Sequence, residues 1–238
     1  YYFLRTVIFP PKTGYMRHFK YLKRAMVPLP PLEEQRRIAA ILDKADEVER
    51  ETAMIQEMRD EIIQATFLDM FGDPVSNSKG WDFAFLQDLG DLKSGGTPPR
   101  KNPEFFKGEI PWVTTVALGK MIINEEDAVE YITSEAIEQS ATKLIPKNSI
   151  MIGTRVGVGK ASILGCDMCS NQDILSLVNL KKVVTKEFML TILEFFESFF
   201  NSQKRGATIQ GITSKTIKEL RIITPPISNQ KEFATRAN

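Results

Sequence analysis

The sequence predicts an α/β (α+β) protein: a globular domain with a mixed or antiparallel sheet, joined to one long helix of the coiled-coil type. Three observations carry that expectation. Residues 32–70 hold no proline or glycine and are rich in helix formers. After Pro74 the texture changes to short apolar runs separated by turn residues. The two ends of the chain also repeat one another at a separation of 195 residues.

Taken in order, residues 1–31 are basic, with Arg5, Lys12, Arg17, Lys20, Lys23 and Arg24 and no acid. Residues 32–70 reverse the sign, with five basic side chains against eleven acidic ones, so the overall charge of +1 averages over segregated charge. Such segregation offers one surface to phosphates and withholds another; chance clustering on solvated faces is the plainer alternative. The chain starts at Tyr1-Tyr2-Phe3 without a methionine, which reads as a fragment or a processed piece.

The long helix opens after Pro28-Leu29-Pro30-Pro31, because proline fits before a first helical turn and cannot continue an earlier element. Glu33 and Glu34 place negative charge at the positive end of the helix dipole. Phe71-Gly72-Asp73-Pro74 is a glycine-then-proline stop. Such a helix measures roughly 55–60 Å at about 1.5 Å per residue. Ile38, Ile41, Ala45, Val48, Thr52 and Ile55 follow steps of three and four; the register slips near Met58 and resumes at Ile62. A seam this narrow needs a partner helix to bury it.

In the remainder, Ile110-Pro111-Trp112-Val113, Ser149-Ile150-Met151-Ile152 and Ile174-Leu175-Ser176-Leu177-Val178 read as strands, and residues 134–140 and 186–202 as helices. Phe188, Ile192, Phe195, Phe196 and Phe199 form a stripe expected in the core, as are Trp81 and Trp112. The repeat places Lys20, Lys23, Pro30, Pro31, Gln35 and Ala39 on Lys215, Lys218, Pro225, Pro226, Gln230 and Ala234. One unit therefore ends near Pro31, a second spans the globular part, and another helix begins near Pro226.

Catalytic patterns fail on spacing. The run Gly153-Thr154-Arg155-Val156-Gly157-Val158-Gly159-Lys160-Ala161 lacks the first glycine and the hydroxyl residue of a nucleotide-binding loop. It is either a basic loop set against DNA phosphates or a plain hairpin. Cys166 and Cys169 form a lone Cys-x-x-Cys beside a single histidine, His18, which favours two free thiols over a four-ligand zinc site. One histidine also excludes most acid–base triads. No cofactor fingerprint is present, and none of the 238 residues forms the Asn/Asp-Pro-Pro-aromatic tetrad of amino-methyltransferases. No cofactor and no metal are expected.

The positive candidates are polar and basic residues in turns. Lys93, Ser94, Thr97, Arg100 and Lys101 surround Gly95-Gly96, whose amides could approach phosphate. Arg155, Lys160, Gln172, Lys204, Arg205, Thr208, Gln210 and Lys215 complete the set. Arg and Lys suit guanine and Asn and Gln suit adenine in the major groove; any one of these side chains taken alone fits a solvated surface better than a base reader, and as a set they favour DNA.

The run from Val27 to Ala39, with Pro30, Pro31 and Gln35, resembles the conserved-region signature of specificity subunits of type I restriction-modification enzymes. So does the exit Met70-Phe71-Gly72-Asp73-Pro74 followed by Lys79-Gly80-Trp81, while Ser94-Gly95-Gly96-Thr97-Pro98, Pro111-Trp112-Val113 and Asn171-Gln172 look like landmarks of that family's target recognition domains. The resemblance implies a non-catalytic DNA-reading component in which two recognition domains alternate with two antiparallel helices that set the spacing of a split site. It implies double-stranded DNA, a methyltransferase subunit and a restriction subunit as partners; the two cysteines and the lack of a visible signal peptide make a reducing cytoplasm the expected location. Residues 1–31 are then the tail of a first recognition domain, 32–72 the conserved spacer helix, 73–225 a complete recognition domain, and 226–238 the start of a second helix. The helix face of Ile38, Ile41, Ala45, Val48, Ile55 and Ile62 awaits a helix from missing sequence or from a homodimer mate. The rival reading, a coiled-coil interaction adaptor without nucleic-acid binding, explains the helix but not the repeat or the basic loops.

Overall fold

The structure, a computed structural model, describes residues 29–155, 157–203 and 214–237. Expectations for residues 1–28, and for Lys204, Arg205, Thr208 and Gln210, lie outside the described residues. The chain divides between Arg59 and Asp60 into two compact units.

Helix α1, Leu32–Phe71, has 40 residues and crosses that division. It opens immediately after Pro31, and the Gln35 side chain donates to the Pro30 carbonyl at 2.7 Å. Ile38, Ile41, Ala45, Val48, Ile55 and Ile62 are all exposed. Within the second unit Ile63, Phe67 and Phe71 are buried.

The end of α1 is satisfied carbonyl by carbonyl, as helix termini require. Gly72 adopts φ +73° and its amide donates to the Leu68 carbonyl at 2.9 Å. Lys79 Nζ donates to the carbonyls of Asp69 and Met70, and Trp81 Nε1 to that of Phe71 at 2.9 Å. The positive φ favours glycine here, and a Cβ would in addition have to displace the Ser78 hydroxyl, 2.4 Å from its position. In this role Trp81 is half-buried, packed against the main core rather than enclosed in it.

The second unit is built on three sheets. The largest contains β2 (Asp91–Ser94), β4 (Ile122–Ile123), β6 (Ile150–Gly153), β7 (Ala161–Leu164) and β9 (Ile174–Val178), in the order β2-β9-β6-β7-β4. Its pairs are antiparallel except β4 with β7, so the sheet is mixed. A second sheet orders β5 (Glu130–Ile132), β3 (Ile110–Val113) and β8 (Cys169–Ser170), and β1 (Phe83–Phe85) pairs with β10 (Arg221–Ile223).

Every residue of β6, β7 and β9 is buried, because both faces of this sheet are covered. Ile150, Ile152, Ala161, Ile163, Leu175 and Leu177 share one core with helix α3, Lys186–Gln203. The alternate residues Met151, Leu164, Ile174 and Val178 join Val113, Ile145 and Met168 in another. Phe67 is the hub of the first core, with ring centroids 5.0 Å from Phe71, 5.4 Å from Phe188, 5.2 Å from Phe195 and 5.4 Å from Phe233. Phe233 lies on α5, Ile227–Ala237, so α1, α3 and α5 meet in one aromatic cluster.

Two helical expectations change. Of the α3 stripe, Phe199 is at the surface, where its ring lies 5.8 Å from Phe200. The helix expected at 134–140 closes as α2, Ser134–Glu138, capped by the Thr133 hydroxyl on the Ala136 amide. On α3, burial pushes the Glu194 carboxyl up to about 7, with Asp60 and Glu197 adding to the rise.

Candidate nucleic-acid interface

The antiparallel registers decide which turns meet. Ser94 and Ile152 both lie opposite Leu175, Gly153 faces Ile174, and Ile152 faces Ala161. The end of β2, the end of β6, the start of β7 and the start of β9 therefore fall on one edge of the sheet. Residues 95–101, 154–155, 157–160 and 171–173 emerge there together. Residues 114–121 join them: the Asn171 amide donates to the Val113 carbonyl at 3.1 Å, and the Gly119 amide to Ser162 Oγ at 3.1 Å.

Side chains tie these turns across long stretches of chain. Thr97 Oγ1 donates to Gln172 Oε1 at 2.6 Å, and Arg155 Nη1 contacts Asp173 Oδ1 at 3.2 Å. Asp173 is itself fixed, since its carbonyl accepts from the Thr154 amide at 2.8 Å and the Thr154 hydroxyl at 3.0 Å. Lys160 runs alongside Gly119, its Nζ 3.9 Å from where a Cβ would stand. Arg100 Nη1 donates to Glu130 Oε1 at 2.6 Å, and its guanidinium lies 4.3 Å from the Phe106 ring centroid and 5.5 Å from that of Trp112. The bond to Glu130 raises the Arg100 pKa further above its ordinary value, so its charge is permanent. Lys120 is paired to Asp127.

Arg100 and Arg155 are thus oriented rather than neutralised. Each guanidinium has five donors, and each is exposed and shares an ion pair with one carboxylate. Exposed ion pairs contribute about 0–1 kcal/mol, so a phosphate or a guanine edge can take over the remaining donors at little cost. Lys93, Lys101 and Lys160 have no ion pair among the described residues.

Not every expected residue belongs to this edge in the expected way. Gly95 and Gly96 are buried, and their amides donate to the carbonyls of Ile174 and Ser170 at 3.1 and 2.8 Å, so these amides are not free for phosphate. Their glycine character serves packing: a Cβ would meet Asn171 O at 2.1 Å and the Ala141 carbonyl carbon at 2.5 Å. Trp112 Nε1 donates to the Gly96 carbonyl at 3.1 Å, and Trp112 is buried as expected. Lys93 and Ser94 lie in strand β2, only Ser94 at its exposed end. Lys215 sits on α4, Ser214–Lys218, beside the turn Leu86–Asp88 that leads into the start of β2, and pairs with Glu219 at 3.8 Å. It is therefore at the opposite end of the strand from the clustered turns. The glycine-rich stretch is the connection of the β6–β7 hairpin, with Gly157 and Gly159 at positive φ.

Sequence reasoning missed residues 114–121 altogether. Val116 and Met121 are exposed there, and apolar residues following a strand read as core in a sequence. The cysteines offer no reactive group to this edge. Both are free, and burial pushes the Cys169 thiol up to about 11.

Residues 78–236 match the family described as the type I restriction modification DNA specificity domain. The chain belongs to that family. It is 27% identical over 225 residues to the EcoR124I/EcoR124II specificity subunit of Escherichia coli, covering 89% of this chain and 54% of that relative. To the MjaIX specificity subunit of Methanocaldococcus jannaschii it is 26% identical over 159 residues, 66% of this chain and 37% of the relative. Its fold resembles the HsdS subunit from Thermoanaerobacter tengcongensis, with a TM-score of 0.56 and 22% identity over 89% of this chain and 51% of that one. The S subunit from M. genitalium gives a TM-score of 0.59 at 13% identity, over 87% of this chain and 54% of that one. This specificity chain thus spans between a third and just over half of these relatives' lengths.

Proposed function

We propose that this chain reads one half of a split DNA site for a type I restriction-modification complex in the cytoplasm, and does no chemistry itself. Residues 73–225 are the complete recognition domain, 32–72 the spacer helix, and 226–238 the start of a second helix. The observation that carries this reading is the convergence of four turns, with Arg100, Lys101, Lys120, Arg155 and Lys160, on one edge of a rigid sheet. Lysines and the exposed guanidiniums meet phosphates and set the register, while Thr97, Gln172 and the arginines are placed to reach base edges. Lys204, Arg205, Thr208 and Gln210 extend the basic set by sequence. The methyltransferase and restriction subunits supply methylation and cleavage, and a second helix of the same kind covers the exposed apolar face of α1.

Fluorescence anisotropy of labelled duplex DNA, titrated with salt and with a methyltransferase subunit present, tests the reading. Affinity should fall linearly with salt on logarithmic axes. Replacing Arg155 and Lys160 by alanine should make that slope shallower by about 1 for each phosphate no longer neutralised. Salt-insensitive binding, or none with the methyltransferase subunit present, overturns it.

A further inference from the structure

Val116 is 86% exposed at the edge where the four turns converge. It stands in a single turn of 3-10 helix, Thr115–Ala117, whose other members and the following Leu118 are buried. The Ala117 amide donates to the Thr114 carbonyl at 3.1 Å and the Leu118 amide to the Thr115 carbonyl at 3.3 Å. The turn is further held by Gly119 on Ser162 and by the Asn171–Val113 bond. Its backbone is therefore fixed and the isopropyl group is held outwards. A β-branched side chain is stiff at χ1, so ordering it on a ligand costs little further entropy.

The surroundings identify the ligand chemistry. Lys160 lies against Gly119, three residues on, and Lys120 follows it. Gln172 and Arg155 stand on the adjoining turns. One projecting apolar group among amide and guanidinium donors matches the edge of a thymine, the one DNA base with a methyl group in the major groove. We infer that Val116 is a specificity-determining residue that packs against a thymine 5-methyl group. This inference rests on the DNA-reading function proposed above.

Selection from a random-sequence duplex library, using the full chain with a methyltransferase subunit, compares the native protein with Val116→Ala and Val116→Asn. A thymine in the motif selected by the native protein should lose its preference in both variants while the other positions persist. In a duplex of the selected sequence, deoxyuridine at that thymine should weaken native binding about fourfold, equivalent to ~0.8 kcal/mol for one buried methyl. Val116→Ala should not distinguish the two bases. Thermal melting of the variants should be unchanged, since the side chain is at the surface. An unaltered motif in the variants overturns the inference, as do indifference of the native protein to deoxyuridine at every thymine and a uniform loss of affinity across sequences. If the native protein selects no motif and binds no DNA, the DNA-reading function falls and the role of Val116 with it; the other three outcomes leave that function standing.

Discussion

The first turns of α1 and α5 begin from the same residues and end in different environments. In both, the helix starts directly after the second proline, and a glutamine four residues later donates to the carbonyl of the first, at 2.7 Å for Gln35 and 2.8 Å for Gln230. In both, that glutamine's amide also bonds to the second proline's carbonyl, at 3.0 and 3.3 Å. Beyond this shared cap the two diverge. Gln230 is fully buried, accepting from the Thr185 amide at 2.9 Å and donating to the Val183 carbonyl at 2.9 Å. Gln35 is exposed, and its side chain is recorded only on the Pro30 carbonyl among the described residues. Three residues further, Phe233 is 0% exposed and its counterpart Ile38 is 41% exposed. The cap is thus a local property of the Pro-Pro-x-x-x-Gln pattern, whereas the clamp is made by whatever packs beside it.

The largest expected effect separates the two hydrophobic counterparts. Phe233→Ala removes a ring packed on Phe67 and Phe71 and should cost about 3–5 kcal/mol, read by urea unfolding of the full chain. Ile38→Ala should cost under about 1 kcal/mol in the same measurement, because Ile38 lies at the surface and fills no packed core. Equal losses would erase the distinction between a docked and an undocked helix start.

A smaller loss is expected at the glutamine clamp. Gln230→Ala leaves the Thr185 amide and the Val183 and Pro225 carbonyls without their partner, at about 1–3 kcal/mol for each buried group that water cannot reach. Because some of these groups regain water, we expect about 2–4 kcal/mol in all. Gln230→Glu should be nearly as harmful, since a carboxylate can accept from Thr185 but cannot donate to either carbonyl. Preserved stability in Gln230→Glu would show that the clamp contributes less than its geometry implies.

The same contrast governs what could be read from the sequence. Pro31, Gly72 and Pro74 act on the backbone at their own positions, so the helix expected at 32–72 is found at Leu32–Phe71. The basic turns were visible one by one, yet Thr97 meets Gln172 across 75 residues and Arg155 meets Asp173 across 18. Those meetings depend on strand order, which short apolar runs do not encode. Gly95-Gly96 signalled a close approach, but the approaching groups are the chain's own, Ser170–Asn171 at Gly95 and the Ala141–Thr142 backbone at Gly96. Val116 was illegible for a related reason: an apolar residue among apolar residues gives no sign of which one will face outwards.

The smallest expected effect, at Gln35, tests the comparison most sharply. Gln35→Ala removes one exposed hydrogen bond at a helix start, and such bonds contribute about 0.5–1.5 kcal/mol even when shielded from water. The full chain should therefore lose less than about 1 kcal/mol in urea unfolding, with the helical signal of α1 nearly intact. The repeat adds a condition. At α5 the glutamine is worth more because a neighbouring loop supplies an amide and a carbonyl to it. If a recognition domain or a second helix comes to cover the start of α1, Gln35→Ala should become several-fold more costly, approaching the loss at Gln230. Measuring the substitution in the chain alone and again in the assembled complex separates the two contributions. An unchanged cost on assembly would mean that the start of α1 keeps only the local half of the motif, and that its burial at α5 belongs to that domain alone.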